Sequence, residues 1–439
     1  MSSLLATTLV LLAPQDISSE IKTVTAAIDA RRLEQTVRHL VGLGTRHVLS
    51  DDGGARGTAA ARTWMEGVFK EMVPRSGGRL TVERKEYTLP SRRLGRQVKL
   101  VNIVATLRGV SDPERVYVVG GHYDSINGNP RDARGDAPGA NDDASGTAVV
   151  MEACRVMCER EFAATIKFVC YDGEEMGLLG STAHAKELAD DEVKVDGMIT
   201  NDIVGNTMGM DGKRRSTYLR CFSYSPRGND STGRSLARSA SRSARQNVKD
   251  LEVMIIYRGD RYGRGGDHRP FHAEGFPSIR FTEPREDYSR QHRNVTERDG
   301  KPYGDLPEFM DFAYLGKVCS VNVALLAELA SAPAAPGRVS VSGSRTAYDV
   351  TVSWSPVKAA QDYELVWRST TAADWQESRL VGEKVTRGRR GMSAVIEGQC
   401  LDDVVVGLRA VGGNGARSRV TVPPDPDAFA QRPSSDRKR

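Results

Sequence analysis

The chain repeatedly runs through a short, almost uninterrupted apolar stretch and then stops at glycine, histidine or an acidic residue. Residues 116–119 lead into Gly120-Gly121-His122-Tyr123-Asp124, residues 166–171 into Asp172-Gly173-Glu174-Glu175, and residues 197–201 into Asp202. Helical patterns lie between them at 147–157 and 181–189. Apolar runs of strand length that alternate with helices predict strands buried on both faces, hence an α/β fold with a mostly parallel central sheet flanked by helices. Such a sheet collects its chemistry in the loops at the carboxyl edge of the strands. A further strand is expected at 101–107. Residues 18–73 carry apolar positions at helical spacing, among them Leu33, Val37, Leu40, Trp64, Val68 and Met72.

At 439 residues the chain is too long for one ordinary domain. Its composition shifts after residue 330. Ser331-Ala332-Pro333-Ala334-Ala335-Pro336-Gly337 reads as a linker at 331–337, because prolines so close together cannot continue a helix. From 338 to 423 the apolar runs become short and alternating, with turn residues between them, which predicts a small β-sandwich. That part resembles a fibronectin type III module, with Trp354 as its expected core tryptophan. Residues 424–439 read as a disordered tail.

Charge and targeting signals narrow the partners. The net charge is +5, with basic and acidic residues balanced along most of the chain, and no basic stripe is interleaved with aromatics. Nucleic acid is therefore not an expected partner. The apolar run at 4–13 is too short for a membrane span, and no later stretch reads as one. It fits the apolar core of a signal peptide, although no Lys or Arg precedes it. Residues 1–17 are accordingly expected to be a signal peptide or N-terminal extension, and the protein secreted or periplasmic, with the cytoplasm as the alternative. None of the six cysteines has metal-ligand spacing.

The strand ends hold the candidate chemistry. His122 emerges where its strand ends, and Asp124 two residues later can hydrogen-bond a histidine ring and fix its tautomer. Asp142 and Asp143 lie in Pro138-Gly139-Ala140-Asn141-Asp142-Asp143-Ala144-Ser145-Gly146, just before a helix. Acidic residues there could simply cap that helix, and Glu174-Glu175 could complement a helix N-terminus. Asp202 occupies the same topological position, and His292 adds a second imidazole in a polar loop. Donors from five separate strand ends or loops, arriving in order, point to a metal site rather than to five unrelated caps.

Segments 121–124, 138–146, 172–181 and 201–202, extended by Arg264-Gly265-Gly266-Asp267-His268 and Gln291-His292, resemble the two-zinc aminopeptidase family that also includes glutamate carboxypeptidase. The resemblance makes residues 18–330 the expected peptidase domain. It implies two zinc ions, one held by His122 and Asp202, the other by Glu175 and His292, with Asp142 bridging them. It further implies Glu174 as general base and Asp124 as the partner of His122. Asp267 and His268 match a loop near the substrate pocket, and Tyr288 could take the place of a tyrosine that stabilises the oxyanion in family members. Peptides are the implied substrates and an aminopeptidase the implied enzyme. A carboxypeptidase or glutaminyl-cyclase-like enzyme on the same scaffold, or a non-catalytic binding protein, are the alternatives. The last would be marked by lost ligands, and here every ligand position is filled.

Overall fold

The computed structural model describes residues 16–50, 53–225, 230–343, 347–388 and 391–424. The run expected to be a signal peptide core, at 4–13, and all but the first residue of the expected tail lie outside them.

One eight-stranded sheet organises the larger part of the chain. Its strands are β1 (Leu80–Ser91), β2 (Arg96–Leu107), β3 (Asp112–His122), β4 (Ala164–Tyr171), β5 (Lys194–Asn201), β6 (Tyr218–Ser223), β7 (Glu252–Ile256) and β8 (Ser278–Thr282). They run in the order β1-β2-β4-β3-β5-β8-β6-β7. The four central strands, β4, β3, β5 and β8, are mutually parallel. The flanks are mixed, with β1 on β2, β2 on β4 and β6 on β8 antiparallel.

Among the described residues eight helices surround it: α1 (Ile17–Ala26), α2 (Ala30–Gly42), α3 (Gly57–Met72), α4 (Ser145–Met157), α5 (Leu179–Asp190), α6 (Thr232–Asn247), α7 (His268–Ala273) and α8 (Phe312–Ser331). Strand β3 shows why its sequence is apolar without alternation. Tyr117 and Val119 point into the core shared with α4 and α8, whereas Val116 and Val118 point into the core shared with α5 and Phe271 of α7. A strand covered on both faces must be apolar at every position.

Helix α8 departs from the sequence expectation, since it is long and apolar enough to cross a membrane by length and composition. It is instead a core helix, mostly buried in the fold. Its Asn322 donates to Asn201 Oδ1 at 2.8 Å, and Asn201 donates back at 3.0 Å, so α8 is fastened to the end of β5.

Beyond a short hairpin, β9 (Thr296–Arg298) and β10 (Lys301–Tyr303), the C-terminal strands are β11 (Ser340–Gly343), β12 (Asp349–Trp354), β13 (Ala360–Ser369), β14 (Glu377–Leu380), β15 (Thr386–Gly388), β16 (Gly391–Glu397) and β17 (Val404–Gly412). They form two antiparallel sheets, β11-β12-β16-β15 and β14-β13-β17, around one core that contains Trp354 and Leu365. The prolyl segment before them is docked rather than a free tether. Arg115 donates to Leu329 O and Ala332 O, and Thr421 Oγ1 donates to Pro336 O at 2.7 Å.

Candidate metal centre

The parallel strands β4, β3, β5 and β8 end along one edge, and the candidate donors sit just past those ends. His122 closes β3, Glu174 and Glu175 follow β4, Asp202 follows β5, and His292 lies in the loop after β8. Asp142 stands in the turn between β3 and α4. The start of α4 can pass close to β3 because Gly121 and Gly146 lack side chains. A Cβ on Gly121 would lie 2.5 Å from the carbonyl carbon of Gly146.

Asp142 joins two halves of the site. Its Oδ1 is 3.1 Å from His122 Nε2, and its Oδ2 is 3.1 Å from His292 Nε2. On the first side Asp202 Oδ1 lies 3.9 Å from His122 Nε2. On the second, Glu175 Oε1 lies 2.7 Å from His292 Nε2. The donor atoms fall into two clusters, His122–Glu174–Asp202 and Asp142–Glu175–His292, each within 4.8 Å.

A frame of buried hydrogen bonds holds the donors in place. Asp124 accepts the backbone N–H of Glu174 on one oxygen and that of Glu175 on the other, each at 3.1 Å. The His122 Nδ1 lies 3.1 Å from the Asp124 carbonyl and 3.4 Å from its Oδ1, which directs Nε2 toward Asp142. Asp143 turns away and accepts from the backbone of His122, Gly146 and Ile203. Asp305 accepts the Asn141 and Asp142 N–H groups at 2.9 and 2.7 Å, orienting the turn from outside.

The electrostatics fit a cation site. His122 Nε2 and Asp142 Oδ2 are buried with no hydrogen-bond partner, a costly state for polar atoms unless something else satisfies them. Burial disfavours charge on Asp142, but the His122 and His292 rings beside it outweigh that and hold its carboxyl well below the usual range. Burial pushes the Glu174 carboxyl well above its usual range, and that of Glu175 upward too. Imidazole and carboxylate donors of this kind suit zinc.

Asp142, Glu174, Glu175, Asp202 and His292 line one cavity of about 500 Å³. Three residues expected near the substrate are placed differently. Tyr288 is 54% exposed and is not among the residues lining that cavity. His268 is fully buried, with Nε2 2.8 Å from the Gly259 carbonyl, and burial lowers its pKa to about 4. Asp267 is buried as well, and burial raises its pKa to about 7. Neither of these two lines the cavity, although Arg264, Gly265 and Arg269 on either side of them do.

Three supporting residues were not visible in the sequence. Arg46 is wholly buried and donates to the carbonyls of Tyr123, Leu40, Pro138 and Gly139. Arg280, inside fully buried β8, pairs with Asp202 at 2.9 Å and Asp260 at 3.3 Å. Asp305 is the third. The one local signal is a charge between two apolar residues, Ile279 and Phe281, and it applies to Arg280 alone.

Residues 102–303 match the profile of peptidase family M28. A probable zinc metalloprotease of Leptosphaeria maculans is 38% identical over 424 residues, covering 92% of this chain and 96% of that protein. The chain belongs to peptidase family M28. The fold recurs in the LapA aminopeptidase of Legionella pneumophila, with a TM-score of 0.52 and 20% identity over 71% of this chain and 75% of that one. It recurs also in a glutaminyl cyclase of Fimbriiglobus ruber, with a TM-score of 0.51 and 18% identity over 68% of this chain and 95% of that one.

Proposed function

We propose that the chain is a two-zinc aminopeptidase, which removes N-terminal residues from peptides with Glu174 as general base. The observation that carries this reading is the placement of Asp142, with one oxygen toward His122 and the other toward His292. A carboxylate so placed could serve two cations at once and would offset their mutual repulsion. His122 and Asp202 would hold one zinc, Glu175 and His292 the other, and Asp142 both. When bound, zinc supplies Lewis-acid polarisation of the scissile carbonyl and makes a nearby water more acidic.

The remaining steps belong to the chain's own residues. Glu174 shares a cluster with His122 and Asp202, and its burial raises its proton affinity, so it can accept a proton from the attacking water. It then returns that proton to the nitrogen of the departing peptide. Asp124 holds the backbone of both glutamates, so the base and its neighbouring metal donor are fixed together.

The test is a panel of free and N-blocked peptides offered to the zinc-loaded protein. Release of N-terminal residues from free peptides alone is expected. Phenanthroline should abolish it and added zinc restore it. Cleavage of blocked peptides, or conversion of N-terminal glutamine to its cyclic form without peptide cleavage, would overturn the reading.

A further inference from the structure

The cavity that holds the donor cluster has a second wall, and it is made of arginine. Arg92 and Arg93, on the turn between β1 and β2, line it together with Arg261, Arg264 and Arg269 from the β7–α7 segment and α7. The apolar lining side chains are few, with Met176 and Leu178 beside glycines. A cavity built for a leucyl or phenylalanyl side chain would show the opposite balance.

The arginines do more than neutralise the donors. In the two-zinc reading, on which this inference rests, two divalent cations already balance Asp142, Glu174, Glu175 and Asp202. Behind the wall, Glu286 serves Arg220, Arg261 and Arg264 at 3.0 Å each, and Asp260 serves Arg261 and Arg280. Two carboxylates therefore face four guanidinium groups, and Arg92, Arg93 and Arg269 add three more. Even with Asp124 and Asp267 counted as ionised, positive charge remains in surplus. A low-dielectric cavity with that surplus attracts anions and repels cations.

Two of the arginines are fixed beside the donors of one cluster. Arg93 donates to the backbone carbonyl of Glu175, and its Nη1 lies 3.9 Å from Glu175 Oε2. Arg264 Nη2 donates to Gln291 Oε1 at 2.9 Å, and Gln291 immediately precedes His292. Glu286 holds both Arg264 Nη1 and Gln291 Nε2. Arg264 is about one-third exposed and Arg93 nearly half, so both keep a face toward solvent in the cavity. Guanidinium groups held in this way lose little freedom on meeting a carboxylate, and their fork geometry matches it.

We propose that this wall selects peptides whose N-terminal residue is aspartate or glutamate, with Arg264 and Arg93 receiving the side-chain carboxylate. An N-terminal lysine or arginine is disfavoured by the same charge. The chemistry recognised is a carboxylate, which a short peptide could also offer from its C-terminus.

Aminoacyl-4-nitroanilides separate these sources because they have no C-terminal carboxylate. With the zinc-loaded full chain, kcat/KM for the glutamyl substrate should exceed that for the glutaminyl one by about tenfold or more, with the lysyl substrate slowest. The preference should shrink as salt is added. Arg264→Gln and Arg93→Gln should each bring the Glu/Gln ratio toward one, mainly through KM. Both rates come from one preparation, so partial unfolding cancels from the ratio. Calorimetry gives a second readout, in which L-glutamate binds the zinc-loaded protein more tightly than L-glutamine and Arg93→Gln removes the difference. A wild-type protein that turns over glutaminyl or leucyl substrates as fast as the glutamyl one overturns this proposal alone, as does a ratio unchanged in both variants. Cleavage of N-blocked peptides with no nitroanilide turnover overturns the aminopeptidase reading, and this proposal with it.

Discussion

His292 Nε2 lies 2.7 Å from Glu175 Oε1, an imidazole and a carboxylate brought together from positions 117 residues apart. Burial alone would depress the imidazole, but Glu175 and Asp142 outweigh it and raise His292 from 6.5 to about 11 in the metal-free protein. A raised histidine stabilises the metal-free fold fully below its unfolded value, and the contribution is lost as pH rises through the folded one. A cation requires the neutral ring, so binding must expel the proton. Zinc affinity should therefore rise with pH, and titration calorimetry near neutral pH in buffers of different ionisation enthalpy should show at least one proton released per chain. Heat that is independent of the buffer would contradict this.

The adjacent glutamates should separate cleanly under mutation. Glu174→Gln keeps the shape of the site and is expected to bind zinc at wild-type stoichiometry while kcat falls by roughly 10²–10⁴-fold, the usual contribution of a general base. Glu175→Gln should instead lose metal. Metal analysis alongside kinetics checks both, and a fully active Glu174→Gln would place the base elsewhere.

Much of the site was legible because the central strands are buried on both faces, which makes β3, β4 and β5 stand out as continuous apolar runs with polar ends. The five donor positions converge in the structure as their order along the chain suggested. The periphery was harder to read. Strand β1 runs through four consecutive charged residues, Glu83, Arg84, Lys85 and Glu86, and no strand was expected there. Strands β7 and β8 are five residues each and carry Glu252 and Arg280, too little pattern to identify. The family resemblance puts Tyr288 and His268 near the substrate, but side-chain direction depends on packing, which turns Tyr288 outward and buries His268. The roles of Arg46 and Asp305 depend on carbonyls and amides supplied by distant segments, and no local pattern encodes them.

Arg46 should be among the most sensitive positions outside the donor set. Its guanidinium satisfies four backbone carbonyls, including Pro138 and Gly139 just before Asp142. Burial lowers its pKa to about 10, which still leaves it charged at neutral pH. Arg46→Met strands those buried carbonyls, so a loss on the order of 3–5 kcal/mol in urea unfolding is expected. Weaker zinc retention should accompany it as the Asp142 turn loosens. Arg46→Lys should recover only part of either, because an ammonium cannot reproduce the planar five-donor fork. Wild-type stability in Arg46→Met would show that the loop holds itself.

A buried neutral histidine should make the fold acid-sensitive away from the metal. His184 on α5 has its Nδ1 3.1 Å from the Tyr171 hydroxyl, with the Phe271 ring 6.0 Å away centre to centre. Burial lowers its pKa from 6.5 to about 3. For a histidine depressed in the folded state, the unfolded chain takes up a proton that the native one refuses once the pH drops below the unfolded value. Stability should thus fall by roughly 3 kcal/mol over the two pH units below that value from this residue alone. His184→Gln should be less stable than wild type near neutral pH, yet lose less on acidification, by about one proton's worth of slope. Urea midpoints measured on zinc-free wild type and variant across that range isolate the effect, because the metal-site groups titrate alike in both. Parallel losses in the two proteins would mean that His184 takes up its proton while the protein is still folded.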